Sequence, residues 1–342
     1  MNVFDIKILA HCLNGDKVPF IVTFDFKGTC YVYSSKMDLL LSIKTSMKPS
    51  SFFATSEKGL FLLSERGTMG YIDLEKKKYQ TIKAPTGTTF GNDITRGCVF
   101  ETEEGFYLFS CDFVKKNLFY FYSYSTNSFE VADIKLPENC FSYGAGQHGA
   151  FFCLDKEGNF QASSFKTTFE KKEFIPELTF GKEMISECLD YRGIFSLCHQ
   201  VLHLSLEKGS LVMIAPIKPD TRAYAEHIND VLSGKEAVAA KAPELKIANK
   251  LILLKKNEPK KEVVLGGIAS EVFLRPYFDS TFVVKHGMSL ETYGAEDLAI
   301  LSSVPNKGFA LGAYVLPDGR LVYDAAGDIQ VLEPSPLTLA LK

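Results

Sequence analysis

The sequence predicts an all-β protein in which one small unit recurs seven or eight times around a closed ring, and three observations predict it. A short motif, two polar residues and a Gly followed at once by an apolar or aromatic run, returns four times: Glu57-Lys58-Gly59-Leu60-Phe61, Glu103-Glu104-Gly105-Phe106-Tyr107, Gln147-His148-Gly149-Ala150-Phe151 and Tyr191-Arg192-Gly193-Ile194-Phe195. Its glycines stand 46, 44 and 44 residues apart. Runs of strand length fill the intervals, and helical period is confined to one segment.

The elements follow in order. Val3 to Ala10 reads as a first strand, and Gly15-Asp16-Lys17 before Val18 is a weaker copy of the junction. The second unit is the clearest: Ser51–Thr55, Leu60–Ser64, Met69–Leu74 and Tyr79–Lys83 are four short runs rich in β-branched or aromatic residues, bounded by Gly or charged turns. In the third unit, Leu118-Phe-Tyr-Phe-Tyr-Ser-Tyr124 carries Phe119 and Phe121 on one face and Tyr120, Tyr122 and Tyr124 on the other. A strand that is aromatic on both faces must be covered on both. Asp279-Ser280 and Pro317-Asp318-Gly319 mark later junctions. The last unit offers three strands, 310–316, 320–323 and 329–332, before Pro334 and Pro336. Val3 to Ala10 is therefore expected to lend the missing fourth strand and close the ring.

Four antiparallel strands repeated every 43 or so residues is the period of a propeller blade. Seven blades across 342 residues gives about 49 residues each and eight gives about 43, so seven is favoured and eight is the alternative. The expected organisation is one propeller domain over 1–342, with a helical insertion between blades at 218–243. By period and architecture the whole chain resembles WD-repeat and related seven-bladed propellers. The resemblance is to the superfold: the Gly-His and Trp-Asp dipeptides of that family are absent, and Trp is absent altogether.

The insertion is the departure from the pattern. Asp220 or Thr221 can cap a helix that Gly234 ends, and Tyr224, Ile228, Val231 and Leu232 fall on one stripe. Lys235 to Ala242 is a second, alanine-rich helical candidate stopped by Pro243. Such a helix either packs on its own propeller or docks a partner. The candidate partner-binding residues are Arg222, Tyr224, His227, Ile228 and Leu232.

Chemistry is nearly silent. With 38 Lys plus Arg against 41 Asp plus Glu, a net charge of -3 and a pI near 6.1, there is no overall basic field for nucleic acid. Lys76 to Lys78, Lys171-Lys172, Lys255-Lys256 and Lys260-Lys261 fall in turns between third and fourth strands, so a basic face for nucleic acid or anionic lipid stands as an alternative. Asp5 and Lys7 interrupt the first apolar stretch, unlike a signal peptide, and no run is long enough to span a membrane. The eight cysteines, without a Cys-x-x-Cys pair, read as reduced thiols of a cytoplasmic or nuclear protein. Cys198-His199 with His203 lacks a fourth ligand for a closed zinc site, and Asp324 to Asp328 reads as a hairpin turn and not a calcium loop. No phosphate loop, nucleophile elbow or zinc-protease helix is present. The expectation is a non-catalytic interaction scaffold or complex subunit whose partners are other proteins, with no cofactor. A propeller enzyme or small-ligand binder with a site at the central channel is the alternative.

Overall fold

A computed structural model describes residues 3–9, 20–25, 27–34, 36–47, 51–56, 59–63, 68–82, 99–110, 118–138, 140–143, 149–188, 200–217, 222–234, 248–265, 269–273, 281–286, 289–305, 313–315, 320–325 and 328–333. Among them lie seven antiparallel sheets, each built from consecutive stretches of chain. Sheet 1 holds β1 (Val3–Leu9), β2 (Phe20–Asp25), β3 (Thr29–Tyr33) and β4 (Leu39–Lys44). Sheet 2 holds β5 (Ser51–Ser56), β6 (Gly59–Leu63), β7 (Met69–Asp73) and β8 (Lys78–Ile82); sheet 3 holds β9 (Val99–Glu101), β10 (Gly105–Ser110), β11 (Leu118–Ser123) and β12 (Ser128–Ala132). Sheet 4 holds β13 (Phe141–Tyr143), β14 (Ala150–Leu154), β15 (Phe160–Ser164) and β16 (Leu178–Phe180). Sheet 5 holds β17 (Val201–Ser205), β18 (Ser210–Ile217), β19 (Ala248–Lys255) and β20 (Lys261–Val264); sheet 6 holds β21 (Ala269–Phe273), β22 (Thr281–His286), β23 (Ser289–Gly294) and β24 (Ile300–Pro305). Sheet 7 holds β25 (Ala313–Val315), β26 (Leu321–Ala325) and β27 (Asp328–Leu332).

The apolar clusters run from sheet to sheet. Val22, Phe24 and Val32 of sheet 1 share a core with Leu60, Leu62 and Ile72 of sheet 2. Phe61 and Met69 of sheet 2 join Phe106, Phe119 and Tyr122 of sheet 3 and Phe151 of sheet 4. Sheet 4 packs on sheet 5 through Phe152 and Phe160 against Leu211 and Met213, and sheet 5 on sheet 6 through Val212 and Leu253 against Phe282 and Tyr293. Val283 and Leu290 of sheet 6 meet Leu321 and Tyr323 of sheet 7. Val322 of sheet 7 then meets Tyr33 of sheet 1. Middle strands are accordingly buried on both faces: Phe119 points one way in β11, Tyr120 and Tyr122 the other, and all three are buried.

The repeated glycine opens the second strand of its sheet at Gly59 and Gly105 and immediately precedes it at Gly149. None of the three adopts a left-handed backbone. Their requirement is for space: a Cβ would strike the Tyr71 ring at Gly59, the Tyr122 carbonyl at Gly105 and the Phe165 ring at Gly149. Gly193 lies outside the described residues. A second recurrence escaped the sequence reading. In the turn after β2, Asp25 accepts from the N–H groups of Lys27 (2.9 Å) and Thr29 (2.8 Å), and Gly28 sits at φ 77°. In the turn after β14, Asp155 accepts from Glu157 (3.0 Å) and Asn159 (2.8 Å), and Gly158 sits at φ 88°. Both are Asp-x-x-Gly turns, with Gly supplying the left-handed step.

Two expectations are corrected. Residues 3–9 do not complete the last sheet: β1 pairs with β2, from Ile8↔Ile21 to Val3↔Asp25, as the first strand of sheet 1. The apolar Ile6 and Ile8 have their antiparallel partners next in the chain, so β1 is not lent to sheet 7. Helix is also not confined to one segment. α1 (Phe165–Lys171) lies between β15 and β16, and α2 (Lys182–Ile185) follows β16, leading into a short 3-10 turn at Ser186–Cys188. α1 is too short to show a period, but Ser164 caps it by accepting from the Thr167 N–H at 3.1 Å.

Candidate interaction surface

The inserted helix is where the sequence placed its candidate residues. α3 (Arg222–Leu232) is inside the expected 218–243, but its expected place between blades is corrected: it lies within one sheet, between the paired strands β18 and β19. This hairpin has the longest ladder described, eight pairs from Ser210↔Lys255 to Ile217↔Ala248. β17 pairs only as far as Met213 and β20 only as far as Lys250. The Leu265 N–H donates to the Asn249 carbonyl at 2.9 Å, so only the last rung, Ile217↔Ala248, extends past both neighbours. Pro216, without an N–H, suits a position beyond the end of β17.

On α3 the expected stripe is divided. Val231 is half-buried together with the polar His227 and Asp230. Ile228 is 40% exposed and Leu232 80% exposed, with Ala225, Glu226 and Asn229 also outward. Ile228 and Leu232 are one turn apart, so their side chains are adjacent on the outer face. The helix backbone at Arg222 and Tyr224 is described and their side chains are not. Lys235 to Ala242 lies outside the described residues.

The turns between third and fourth strands do carry the lysines, and Lys76, Lys255 and Lys260 among them are paired with nearby carboxylates. Lys76 pairs with Asp73 at 3.0 Å and Lys255 with Glu258 at 3.8 Å. Lys250 and Lys260 share Glu187 and Glu262, with Lys250–Glu262 at 2.9 Å and both Lys260 contacts at 2.6 Å, forming a closed ring of four charges. Hydrogen bonds from Lys250 and Lys260 hold the Glu187 carboxyl down at about 2. Glu187 comes from the 3-10 turn after sheet 4, so the four charges pin that connection to sheet 5. Lys208, in the first turn of sheet 5, pairs with Glu296, in the third turn of sheet 6. Glu103, Glu104, Glu296 and Asp297 lie in turns at this same end, where the alternative reading placed a basic face.

Other candidate chemistry is confined. His203 is buried in β17 beside Tyr143, with ring centroids 6.3 Å apart, and Cys198 and His199 lie outside the described residues. Cys30, Cys140, Cys153 and Cys188 are buried free thiols. Burial raises Cys153 and Cys188 to about 12, which keeps them protonated and weakly nucleophilic at neutral pH. Among the described residues no group of three or more His, Cys, Asp or Glu is placed to hold a metal ion. Ala325 pairs directly with Asp328, and residues 326–327 between them lie outside the described residues. The first strands of sheets 1, 2, 3, 6 and 7, which would line a central channel, have undescribed side chains. Among the described residues no helix is long and apolar enough to cross a membrane.

Comparison with known proteins places the fold in a class. No protein-family model matches the chain, and no curated protein sequence does. A chain of Kuenenia stuttgartiensis hydrazine synthase superposes with a TM-score of 0.52 at 8% identity, covering 93% of this chain and 92% of that one. The beta-propeller domain of Myceliophteria thermophila Cps50 (Swd1) does so with a TM-score of 0.51 at 10% identity, covering 98% and 97%. A chain of a mitotic checkpoint complex gives 0.46 at 12% identity, covering 91% and 83%. The chain has the fold of a β-propeller. At these identities the likeness concerns architecture, and the resembling chains include an enzyme.

Proposed function

We propose that the chain is one seven-bladed propeller domain, closed by packing of sheet 7 on sheet 1, and that it serves as a non-catalytic scaffold or subunit of a larger cytoplasmic or nuclear assembly. The observation that carries this reading is the outward placement of Ile228 and Leu232 on α3, a helix inserted between the paired strands β18 and β19. An amphipathic helix that only covered its own protein would bury that pair. Rigid sheets with an inserted element projecting from one end suit presentation to a partner. The pairing of Lys76, Lys255 and Lys260, with the acidic residues Glu103, Glu104, Glu296 and Asp297 in turns at the same end, supports this over a basic face for nucleic acid or lipid.

The test is Ile228→Asp combined with Leu232→Asp, read by thermal unfolding and by recovery of co-purifying proteins identified by mass spectrometry. The expected result is loss of a partner with an unchanged melting temperature. A melting temperature lowered by several degrees, with partners retained, would show that α3 serves its own chain.

A further inference from the structure

Six of the seven sheets have four strands, and sheet 7 has three among the described residues. β1 does not supply a fourth, being paired with β2. β27 nonetheless has the character of a covered strand. Ile329 and Val331 pack toward Tyr33 of sheet 1, and Leu332 packs toward Leu290 and Val304 of sheet 6, so both of its faces carry apolar side chains. The outermost strands β8 and β12 instead expose most of their residues. Beside this edge, sheet 1 leaves Leu39 53% and Leu40 47% exposed. Leu39 lies opposite Tyr33 in the β3–β4 ladder and thus on the side turned to sheet 7, and Leu40 is the bulged residue next to it.

We propose that the edge of β27 is a docking site for residues 337–341 of the same chain, which add to it as a fourth antiparallel strand. Leu337-Thr338-Leu339-Ala340-Leu341 alternates as a half-buried strand does. From the end of β27 at Leu332 to Leu337 is the same interval as from Asp73 to Lys78 and from Ser123 to Ser128, where the third strand gives way to the fourth in sheets 2 and 3. Pro334 and Pro336 fall between, and with no N–H to give to a ladder they suit the turn. Since Asp73 pairs with Lys78 and Ser123 with Ser128, the same spacing sets Leu337 opposite Leu332 and Leu339 opposite Gln330. The three leucines then share the face of Leu332, toward Val304, while Thr338 and Ala340 share the side of Leu39. An unpaired edge between apolar neighbours is a template for an added strand. A segment tethered through residues 333–336 meets it at high effective concentration, ahead of any second chain.

Hydrogen exchange read by mass spectrometry tests this directly, because an added strand engages the β27 N–H groups that point away from β26. Deleting 334–342 should speed exchange of the β27 peptide about tenfold or more and leave β14–β15 and β18–β19 unchanged. Leu339→Asp should act likewise in the full chain, should the deletion fail to fold. Gln330→Cys with Leu339→Cys should form a disulfide under mild oxidation, seen as a linked peptide, and Gln330→Cys with Ala340→Cys should form it about tenfold more slowly, being one residue out of register. Exchange of β27 that the deletion leaves unchanged, or equal cross-linking by the two cysteine pairs, overturns the proposal. Slow exchange of β27 that survives the deletion, with a doubled mass by light scattering, overturns it in favour of a second copy as the occupant.

Discussion

Helix α1, seven residues inside sheet 4, and helix α3, eleven residues inside sheet 5, are inserted at opposite ends of their sheets and treat their apolar residues in opposite ways. α1 turns Phe165 onto Phe151, ring centroids 4.4 Å apart, and reaches into sheet 3 with Phe169 against Tyr107 at 4.4 Å and Phe119 at 5.5 Å. Its start is held by Ser164 and Glu177, and its end by Lys172 in a left-handed conformation with φ 54°. Beyond it, Phe174 donates to the Lys135 carbonyl at 3.0 Å, fastening the connection from sheet 3. α3 keeps Ile228 and Leu232 in solvent. The difference teaches that an insertion in a repeat can be a repair of packing or an offering to something else. Burial of its apolar pair tells which.

Truncation should break the comparison most sharply. Phe165→Ala is expected to cost about 3–5 kcal/mol, and Leu232→Ala to stay within about 0.5 kcal/mol, both by denaturant unfolding. Similar losses at the two sites would erase the distinction. Gly149→Ala places a methyl in the Phe165 ring and should cost about 1–3 kcal/mol in the same measurement, against no more than a few tenths for Ala225→Ser on exposed α3. Ser164→Ala removes the α1 cap and should cost about 0.5–2 kcal/mol.

Acid should act on the packed helix before the presented one. Burial would raise the Glu177 carboxyl, but the Ser164 N–H (2.8 Å) and hydroxyl (2.7 Å) outweigh it and hold it below its ordinary value. Glu187 lies at about 2. Because both are depressed in the folded state, their contribution is complete above the unfolded value of about 4.5 and is lost as pH falls toward the folded value. For Glu187 that window runs from about 4.5 down to about 2. Glu187→Gln should flatten the decline in stability between these pH values, with an effect at neutral pH no greater than about 1 kcal/mol because the pairs are partly exposed. An unaltered acid profile would show that the four-charge ring contributes nothing.

Much of the sheet pattern was legible in the sequence. The four runs of the second unit match β5 to β8 to within a residue, because Gly and charged turns bound them. The doubly aromatic Leu118 to Tyr124 announced burial on both faces, and α3 was announced by its stripe. What stayed hidden depended on neighbours distant in the chain. α1 shows only Phe165 and Phe169 one turn apart, and the two rings nearest Phe169, Tyr107 and Phe119, belong to sheet 3. The role of Gly59, Gly105 and Gly149 was visible as a period but not as a steric need, since the atoms they avoid come from other strands or from α1. Leu232's exposure was equally hidden, because a stripe records which residues share a face and not which way that face turns. The pairing of Lys260 with Glu187 joins positions 73 residues apart.

The commitment of β1 to β2 bears on how the protein is made. A propeller sealed by a lent strand cannot finish its first or last blade until synthesis is complete. Here sheet 1 is whole once Lys44 has emerged, and each later sheet needs only the segment that follows. Nearly all ladders join strands adjacent in sequence, a low contact order that favours rapid, stepwise folding from the amino end. The packing of Val322 with Tyr33, far apart in the chain, has to wait until sheet 7 is made.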